Sequence, residues 1–224
     1  MTSALDGIDA VIFDLDGVVT RTAKVHARAW QEAFAPLPFD PVADYLRYVD
    51  GKPREDGVRS FLAARGIAAA DEAVRAIGAR KNALFLERLR DGVEVYETTL
   101  ELIRALRRRG VRTAVVTASR NAEAVLRAAG VESLFDMRVD GNDAARLGLA
   151  GKPAPDTFLH AAGALGVAPA RAAVVEDALA GVEAGRAGGF GAVIGVDRAG
   201  QAAALREHGA TLVVSDLDEL EHAA

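Results

Sequence analysis

The sequence feature that most constrains the fold is a short apolar run near the N-terminus that ends in acidic residues. Residues 10–17 read AVIFDLDG. Such a run predicts a buried strand that carries carboxylates at its C-terminal end. We expect this strand to span residues 10–16. Because residues two apart in a strand share a face, Asp14 and Asp16 should project together, with Leu15 turned into the core.

Further apolar runs alternate with helical patterns along the rest of the chain. The predicted strands are residues 111–116, 172–175, 192–196 and 211–214, and the predicted helices are residues 98–109, 121–129, 156–165 and 178–187. Strands that alternate with helices indicate an α/β fold with a doubly wound, mostly parallel, Rossmann-like sheet.

The stretch between the first two predicted strands has a different pattern. Residues 22–90 show helical periodicity without a convincing strand, and Pro36, Pro38 and Pro41 separate helical segments. We predict a small all-helical cap domain, residues 21–93, inserted after the first strand. The core domain would then comprise residues 1–20 and 94–224, with both linkers beside the active edge of the sheet.

Composition excludes several classes of protein. The 224 residues are 50% hydrophobic, enough for a sizeable core, and the net charge of −5 argues against non-specific nucleic-acid binding. The chain has no cysteine, and no apolar run approaches the roughly 20 residues that span a bilayer. The N-terminus also lacks a secretory pattern. We expect a cytoplasmic monomer that binds neither nucleic acid nor membranes.

Two pairs of acids follow predicted strands and should meet at one edge of the sheet. The carboxyl ends of strands line the ligand crevice of a doubly wound sheet, so Asp14 and Asp16 should lie there and repel each other. This implies a cation, and Mg²⁺ is the natural choice for oxygen ligands. Glu176 and Asp177 follow the strand at residues 172–175. Alone, Asp177 could be an acid at a helix N-terminus, but beside the first pair it is a better metal ligand.

Two further segments supply groups suited to a phosphate. Thr117, Ala118 and Ser119 follow a predicted strand and precede a helix near Asn121, which gives a hydroxyl and backbone amides that could cradle phosphate oxygens. Lys152 is held in an extended loop by the proline that follows it. It would place positive charge against a transferring phosphoryl group.

This ordered set of residues resembles the haloacid-dehalogenase-like superfamily of phosphotransferases, and the resemblance covers nearly the whole chain. It implies that Asp14 attacks phosphorus and becomes an aspartyl phosphate, and that Asp16 is the general acid and base. Thr117 and Lys152 would bind the phosphoryl oxygens. The resemblance also implies that Mg²⁺ is held by Asp14, the backbone carbonyl of Asp16, Asp177 and Glu176.

The predicted cap resembles that of the β-phosphoglucomutase subgroup. The matching residues are TRTA at 20–23, His26, Trp30, GKPRED at 51–56 and RKN at 80–82. The resemblance implies that Arg54 grips a second phosphate, that Lys81 and Asn82 line a sugar pocket, and that His26 links cap closure to Asp16. The other substrate contacts that we predict are Gly17, Thr22, Trp30, Gly51, Lys52, Ala118, Ser119, Arg120 and Asn121. Trp30 shares a helix face with His26 and is also typical of a core residue.

Three functions remain open at this point. The first is a sugar-phosphate mutase that converts β-glucose 1-phosphate to glucose 6-phosphate with a catalytic sugar bisphosphate; the second is a sugar-phosphate phosphatase, in which water takes the phosphoryl group. The third is a signalling module that accepts a phosphoryl group without turnover, but such a module needs neither the helical insertion nor Asp16. Arg21 departs from the subgroup, which usually has an aspartate there, and it adds a cation at the hinge that could strengthen a bisphosphate site or alter cap closure.

Overall fold

The computed structural model describes residues 4–222, which form a six-stranded sheet with helices on both faces. The strands are β1 (Ala10–Phe13), β2 (Arg112–Val116), β3 (Met137–Val139), β4 (Ala172–Glu176), β5 (Ala192–Val196) and β6 (Leu212–Val214). Their order across the sheet is β3-β2-β1-β4-β5-β6, and all of these pairings are parallel. The prediction of a doubly wound α/β fold is therefore confirmed.

The helices of the described residues are α1 (Ala23–Phe34), α2 (Arg54–Ala63), α3 (Asp71–Arg88), α4 (Glu97–Arg108), α5 (Ala122–Ala128), α6 (Gly141–Leu147), α7 (Asp156–Ala164), α8 (Leu179–Ala187), α9 (Ala202–His208) and α10 (Glu219–His222). The four helices predicted in the core lie close to their predicted positions, as α4, α5, α7 and α8, whereas α6, α9 and α10 were not predicted. A π-helical turn, Tyr45–Val49, lies between α1 and α2. None of the helices formed by residues 4–222 is both long and apolar enough to cross a membrane.

Strand β1 is shorter than predicted. It ends at Phe13 instead of residue 16, because the backbone amide of Asp16 turns back to donate to Oδ2 of Asp14 at 2.8 Å. Gly17 then adopts a φ of +97°, a conformation that side chains disfavour. The two aspartates therefore lie in a turn after the strand rather than within it.

The two faces of the sheet bury separate apolar clusters, as the pleat requires. Val11 and Phe13 contribute to one cluster, and Ala10 and Ile12 contribute to the other. All four side chains are fully buried, so both faces are covered by helices. This explains why the strand sequence is a continuous apolar run instead of an alternating one.

The helices α1 to α3 enclose an apolar cluster of their own. Trp30, Phe34, Phe61 and Val74 belong to it, and the rings of Phe34 and Phe61 have their centroids 4.0 Å apart. No residue of the six strands belongs to this cluster. We refer to the segment from α1 to α3 as the cap; its exact boundaries, 21–93, remain a prediction.

The two linkers between sheet and cap pair with each other. Thr20 forms an antiparallel bridge with Val95, and the amide of Arg21 donates to the carbonyl of Glu94 at 2.9 Å. The guanidinium of Arg21 lies 4.2 Å from the ring centroid of Tyr96, and its Nε donates to the carbonyl of Val95 at 3.3 Å. Arg21 thus connects the two linkers and does not line the pocket that contains Asp14 and Asp16.

Candidate active site

A cavity of about 50 Å³ lies where the carboxyl ends of the central strands face the cap. Its walls combine core residues with cap residues. The lining residues are Asp14, Asp16, His26, Trp30, Tyr45, Val49, Asp50, Gly51, Lys52, Arg54, Lys81, Thr117, Ala118, Ser119, Asp177 and Ala178. Most of the residues predicted from the sequence therefore meet at one cavity, and Trp30 both lines it and belongs to the core of the cap.

Lys152 and Glu176 lie directly behind Asp14. Nζ of Lys152 is 2.5 Å from Oδ1 of Asp14 and 2.6 Å from Oε1 of Glu176, and it also donates to the carbonyl of Val116 at 3.2 Å. Burial raises the pKa of Asp14 well above its usual value. The charge and hydrogen bond of Lys152 oppose this rise, whereas the charges of Glu176 and Asp16 add to it. Burial alone would lower the pKa of Lys152, but the two carboxylates reverse this and raise it, so the ammonium stays charged.

Three carboxylates form a group that could hold a metal ion. Ligand oxygens of Asp14, Glu176 and Asp177 lie within 4.8 Å of one another. Oδ1 of Asp177 is buried without a hydrogen-bond partner among the described residues, and burial with nearby acids raises the pKa of Asp177. A hard divalent cation prefers such an all-oxygen set and would relieve the repulsion. The residues present therefore fit a metal ion.

Two neighbouring features shape this acidic group. A Cβ atom at Gly17 would lie 1.9 Å from Oδ2 of Asp177, so only glycine leaves room for that carboxylate. Oε2 of Glu176 accepts hydrogen bonds from the amides of Asp177 and Ala178 at 3.1 and 3.0 Å. Both carboxylate oxygens of Glu176 thus accept hydrogen bonds already, whereas Oδ1 of Asp177 has no partner among the described residues. That the backbone carbonyl of Asp16 is a metal ligand remains a prediction.

Asp16 lies in a different environment from Asp14. Its Oδ1 accepts a hydrogen bond from the Thr22 hydroxyl and is 3.3 Å from Nε2 of His26, while Oδ2 accepts from the Thr117 hydroxyl at 3.4 Å. Burial alone would raise the pKa of Asp16. The charge of His26, with the Thr22 hydroxyl and the charge of Lys81, outweighs burial and lowers that pKa to about 2. Asp16 is therefore ionised before a ligand enters.

His26 and Lys81 connect the cap to Asp16. Nδ1 of His26 is 2.5 Å from Nζ of Lys81, which lies 5.1 Å from the ring centroid of Trp30. Burial lowers the pKa of Lys81 to about 7, and the charge of Arg54 contributes in the same direction. Burial and the nearby ammonium also lower the pKa of His26. The cap thus places two basic side chains, His26 and Lys81, over Asp16.

Arg54 takes part in a polar bridge between cap and core. Its Nη2 donates to Oδ1 of Asn82 at 2.7 Å, and the same oxygen accepts from Nδ2 of Asn121 at 2.8 Å. Arg120 is exposed and lines a groove next to Arg54. Burial and the charge of Arg120 lower the pKa of Arg54. Asn82 and Asn121 therefore position Arg54 instead of lining the pocket themselves.

The remaining predicted residues lie at the walls of the same cavity. Nζ of Lys52 donates to the Ser60 hydroxyl at 3.1 Å. The amide of Ser119 donates to the Thr117 hydroxyl at 3.0 Å. A Cβ atom at Gly51, whose φ is +67°, would lie 3.0 Å from Cβ of Ala178. Gly51 thus allows the cap loop to approach the core closely.

Tyr45 and Asp50 also line the pocket, and sequence reasoning missed both. They are the first residue of the π-helical turn and the residue that ends it, and the amide of Asp50 donates to the carbonyl of Tyr45 at 3.0 Å. This i to i+5 spacing matches neither the helical nor the strand period. The one available signal was an acid directly before the GKPRED loop.

The comparison with known proteins agrees with this geometry. A sequence profile of the haloacid dehalogenase-like hydrolase family matches residues 8–189. A β-phosphoglucomutase of Mycobacterium bovis is 46% identical over 239 residues, covering 95% of this chain and 91% of that protein. A β-phosphoglucomutase of Bacillus subtilis is 35% identical over 195 residues, covering 82% of this chain and 81% of that protein.

A solved structure has the same architecture. The crystal structure of a β-phosphoglucomutase from Clostridium difficile superimposes with a TM-score of 0.84 at 26% identity, covering 96% of this chain and 95% of that one. The profile match and the two sequence relatives each span most of the chain. The chain therefore belongs to the haloacid dehalogenase-like hydrolase family, as an enzyme of the phosphotransferase or phosphatase type whose relatives include β-phosphoglucomutases.

Proposed function

We propose that this protein is a Mg²⁺-dependent sugar-phosphate mutase that converts β-glucose 1-phosphate to glucose 6-phosphate through an aspartyl phosphate on Asp14. The observation that carries the proposal is that one cavity has two chemically different ends. Asp14 and Asp16 line the core end, and Arg54 and Lys81 line the cap end. A substrate with phosphate groups at two positions would contact both ends.

The first step is attack on phosphorus. A carboxylate oxygen of Asp14 forms a bond to phosphorus as the bond between phosphorus and the sugar oxygen breaks, and the departing oxygen takes a proton from Asp16. Lys152 lies against Asp14 and supplies positive charge at the reacting end. Thr117 lines the same wall and donates a hydrogen bond to Asp16.

Asp16 must be protonated to act as an acid, although its pKa is about 2 before a ligand enters. A phosphate dianion bound nearby would repel the carboxylate and draw the charges of His26 and Lys81 toward itself. Both effects raise the pKa of Asp16. Substrate binding would thus prepare the general acid.

The second step reverses the first on a different oxygen. Asp16 removes the proton from a sugar hydroxyl, whose oxygen then attacks the aspartyl phosphate and frees Asp14. Transfer to the 6-hydroxyl of β-glucose 1-phosphate gives a bisphosphate, and transfer of its 1-phosphoryl group back to Asp14 leaves glucose 6-phosphate and restores the aspartyl phosphate. Arg54, held by Asn82, would bind the phosphate that is not reacting by paired hydrogen bonds.

Mg²⁺ would be held by Asp14, Asp177 and Glu176, with the backbone carbonyl of Asp16. When bound, it supplies positive charge that stabilises the oxygens of the transferring group. The buried, unpartnered Oδ1 of Asp177 supports this assignment.

A sugar-phosphate phosphatase is the second candidate, and one structural observation favours it. A neighbouring opening of about 610 Å³ shares Tyr45, Asp50 and Asp177 with the active pocket. Water in this opening would lie next to the pocket in which the phosphoenzyme forms. If water instead of a sugar hydroxyl attacks, the same residues release inorganic phosphate.

A product assay separates the two functions. The protein is incubated with Mg²⁺, β-glucose 1-phosphate and a trace of glucose 1,6-bisphosphate, and both glucose 6-phosphate and inorganic phosphate are quantified. We expect glucose 6-phosphate to form many times faster than phosphate. Steady phosphate release without the isomer would identify a phosphatase and reject the mutase.

A further inference from the structure

The π-helical turn of the cap presents an acid and a phenol side by side. Because a π-helix bonds residues five apart, Tyr45 and Asp50 lie next to each other, and the amide of Asp50 donates to the carbonyl of Tyr45 at 3.0 Å. Tyr45 is 7% exposed and Asp50 is 8% exposed. Both nevertheless line the pocket that contains Asp14 and Asp16.

The surroundings of Asp50 differ from those of a carboxylate in a structural ion pair, because burial and neighbouring acids act on it more strongly than any cation. Burial raises its pKa to about 7, and Glu176 and Asp16 add to that rise, while the Tyr45 hydroxyl and Lys152 oppose it. Burial and the charges of Asp50, Asp16 and Asp177 raise the pKa of Tyr45 well above its usual value. A carboxyl in such surroundings repels phosphate, so it does not serve either anionic end of a substrate.

The two phosphate-binding ends of the cavity are already accounted for by other residues. Lys152 and Thr117 lie at the core end, and Arg54 and Lys81 lie at the cap end. Asp50 and Tyr45 line the same cavity without belonging to either cationic group. The complement of a carboxyl and a phenolic hydroxyl is a neutral group that can both donate and accept hydrogen bonds.

We infer that the Tyr45–Asp50 pair binds hydroxyl groups of the sugar ring and selects polyhydroxylated phosphate esters over simpler ones. This inference rests on the proposed function, because it assigns the pair to the sugar of that same substrate. Asp50 accepts from or donates to a ring hydroxyl, and the Tyr45 hydroxyl offers a second hydrogen-bonding group in the same cavity.

The alternative role for Asp50 is a fourth metal ligand. The oxygens of Asp14, Glu176 and Asp177 cluster within 4.8 Å, and Asp50 is not a member of that group. The test must still separate sugar selection from metal binding.

The experiment compares kcat/KM on β-glucose 1-phosphate and on p-nitrophenyl phosphate, which has no sugar hydroxyl. We expect Asp50→Asn to lower kcat/KM at least tenfold more on the sugar phosphate than on the aryl ester, and Tyr45→Phe to show a smaller loss in the same direction. Matched controls are Tyr48→Phe, in the same turn, and Asp44→Asn, whose carboxylate pairs with Arg65. Neither lines the pocket, so neither should alter the ratio.

Deoxyglucose phosphates locate the contact and guard against a folding artefact. The wild-type protein should use one deoxy analogue at least tenfold less well than the parent sugar, and Asp50→Asn should abolish that difference. Equal losses on sugar and aryl substrates, undiminished discrimination among deoxy analogues, or a higher Mg²⁺ concentration for half-maximal activity as the only change would each overturn the inference. Release of phosphate without isomer by the wild-type protein would instead reject the mutase, and the substrate ratios would then be read from phosphate release.

Discussion

Nζ of Lys152 lies 2.5 Å from Oδ1 of Asp14, although 138 residues separate the two in the sequence. The lysine side chain is 1% exposed, and it also contacts Glu176 at 2.6 Å. One buried cation therefore balances two buried carboxylates. The same contact keeps the proposed nucleophile in place and stabilises the loop that contains Lys152.

Removing this cation should destabilise the fold. Lys152→Met leaves Asp14 and Glu176 buried without their partner, which typically costs about 3–5 kcal/mol. Urea unfolding without metal measures the loss, and added MgCl₂ should recover part of it. Lys24→Met, at an exposed position, is the control and should change stability by about 0.5 kcal/mol or less. Similar stability of the two variants would show that Lys152 does not balance the acids.

Asp14→Asn should abolish the phosphoenzyme, because a neutral amide does not attack phosphorus. We expect activity to fall by more than about 10³-fold. Intact-protein mass spectrometry after incubation with β-glucose 1,6-bisphosphate detects the phosphorylated wild-type chain. The control is Asp9→Asn, whose exposed carboxylate pairs with Arg171. A phosphorylated species that persists in Asp14→Asn would remove Asp14 as the nucleophile.

Arg54→Ala should impair mutase turnover more than hydrolysis of p-nitrophenyl phosphate. Only the sugar bisphosphate has a second phosphate for Arg54 to bind, and a hydrogen bond to a charged group is worth about 1.5–3 kcal/mol. We therefore expect a difference of at least tenfold between the two substrates. Arg59→Ala is matched to it, since Arg59 lies in the same helix and pairs with Asp71 at the surface. Equal losses on both substrates would contradict the role of Arg54.

Gly17→Ala should weaken metal binding as well as stability. Its Cβ would overlap the carboxylate of Asp177, and the backbone φ is +97°. Gly130→Ala tests the backbone cost alone, because Gly130 has a φ of +68° and no atom within 4 Å of the added Cβ. Gly130→Ala should lose about 1 kcal/mol of stability and Gly17→Ala should lose more, and only Gly17→Ala should require more Mg²⁺ for half-maximal activity. An unchanged Mg²⁺ requirement would place the metal away from Asp177.

Lys81 should make stability depend on pH above neutrality. Burial lowers its pKa from 10.5 to about 7, so between these values the unfolded chain binds more protons than the folded one. Stability contributed by this site therefore rises with pH across that window, by about 2 kcal/mol from pH 7 to 9. The unfolding free energy of the wild-type protein should rise more steeply than that of Lys81→Met. Parallel curves would mean that Lys81 keeps an ordinary pKa when folded.

Local patterns predicted the sheet and its helices well, because the apolar faces of strands and helices repeat along the sequence. Strand β3 was missed, since it has only three residues and Arg138 occupies its centre. The end of β1 was placed three residues too late, because its termination depends on a hydrogen bond from Asp16 back to Asp14. The π-helical turn has no recognised periodicity, so Tyr45 and Asp50 were not identified.

Arg21 illustrates a different limit. Its identity suggested an added cation that could alter the substrate site or cap closure, but its guanidinium packs on Tyr96 and bonds to Val95. Those partners lie more than 70 residues along the chain. No local pattern could have shown that the two linkers pair.

By itself the sequence determined the fold class and the chemical types at the ends of the strands, since both follow from local periodicity. Only the tertiary structure decided the electrostatic state of each group. Asp14 and Asp16 are two residues apart, yet one is buried against Lys152 and Glu176 with a raised pKa, and the other contacts His26 and has a pKa of about 2. That difference arises because burial and through-space distances to distant charges set a pKa, and neither is encoded in the spacing of the two aspartates.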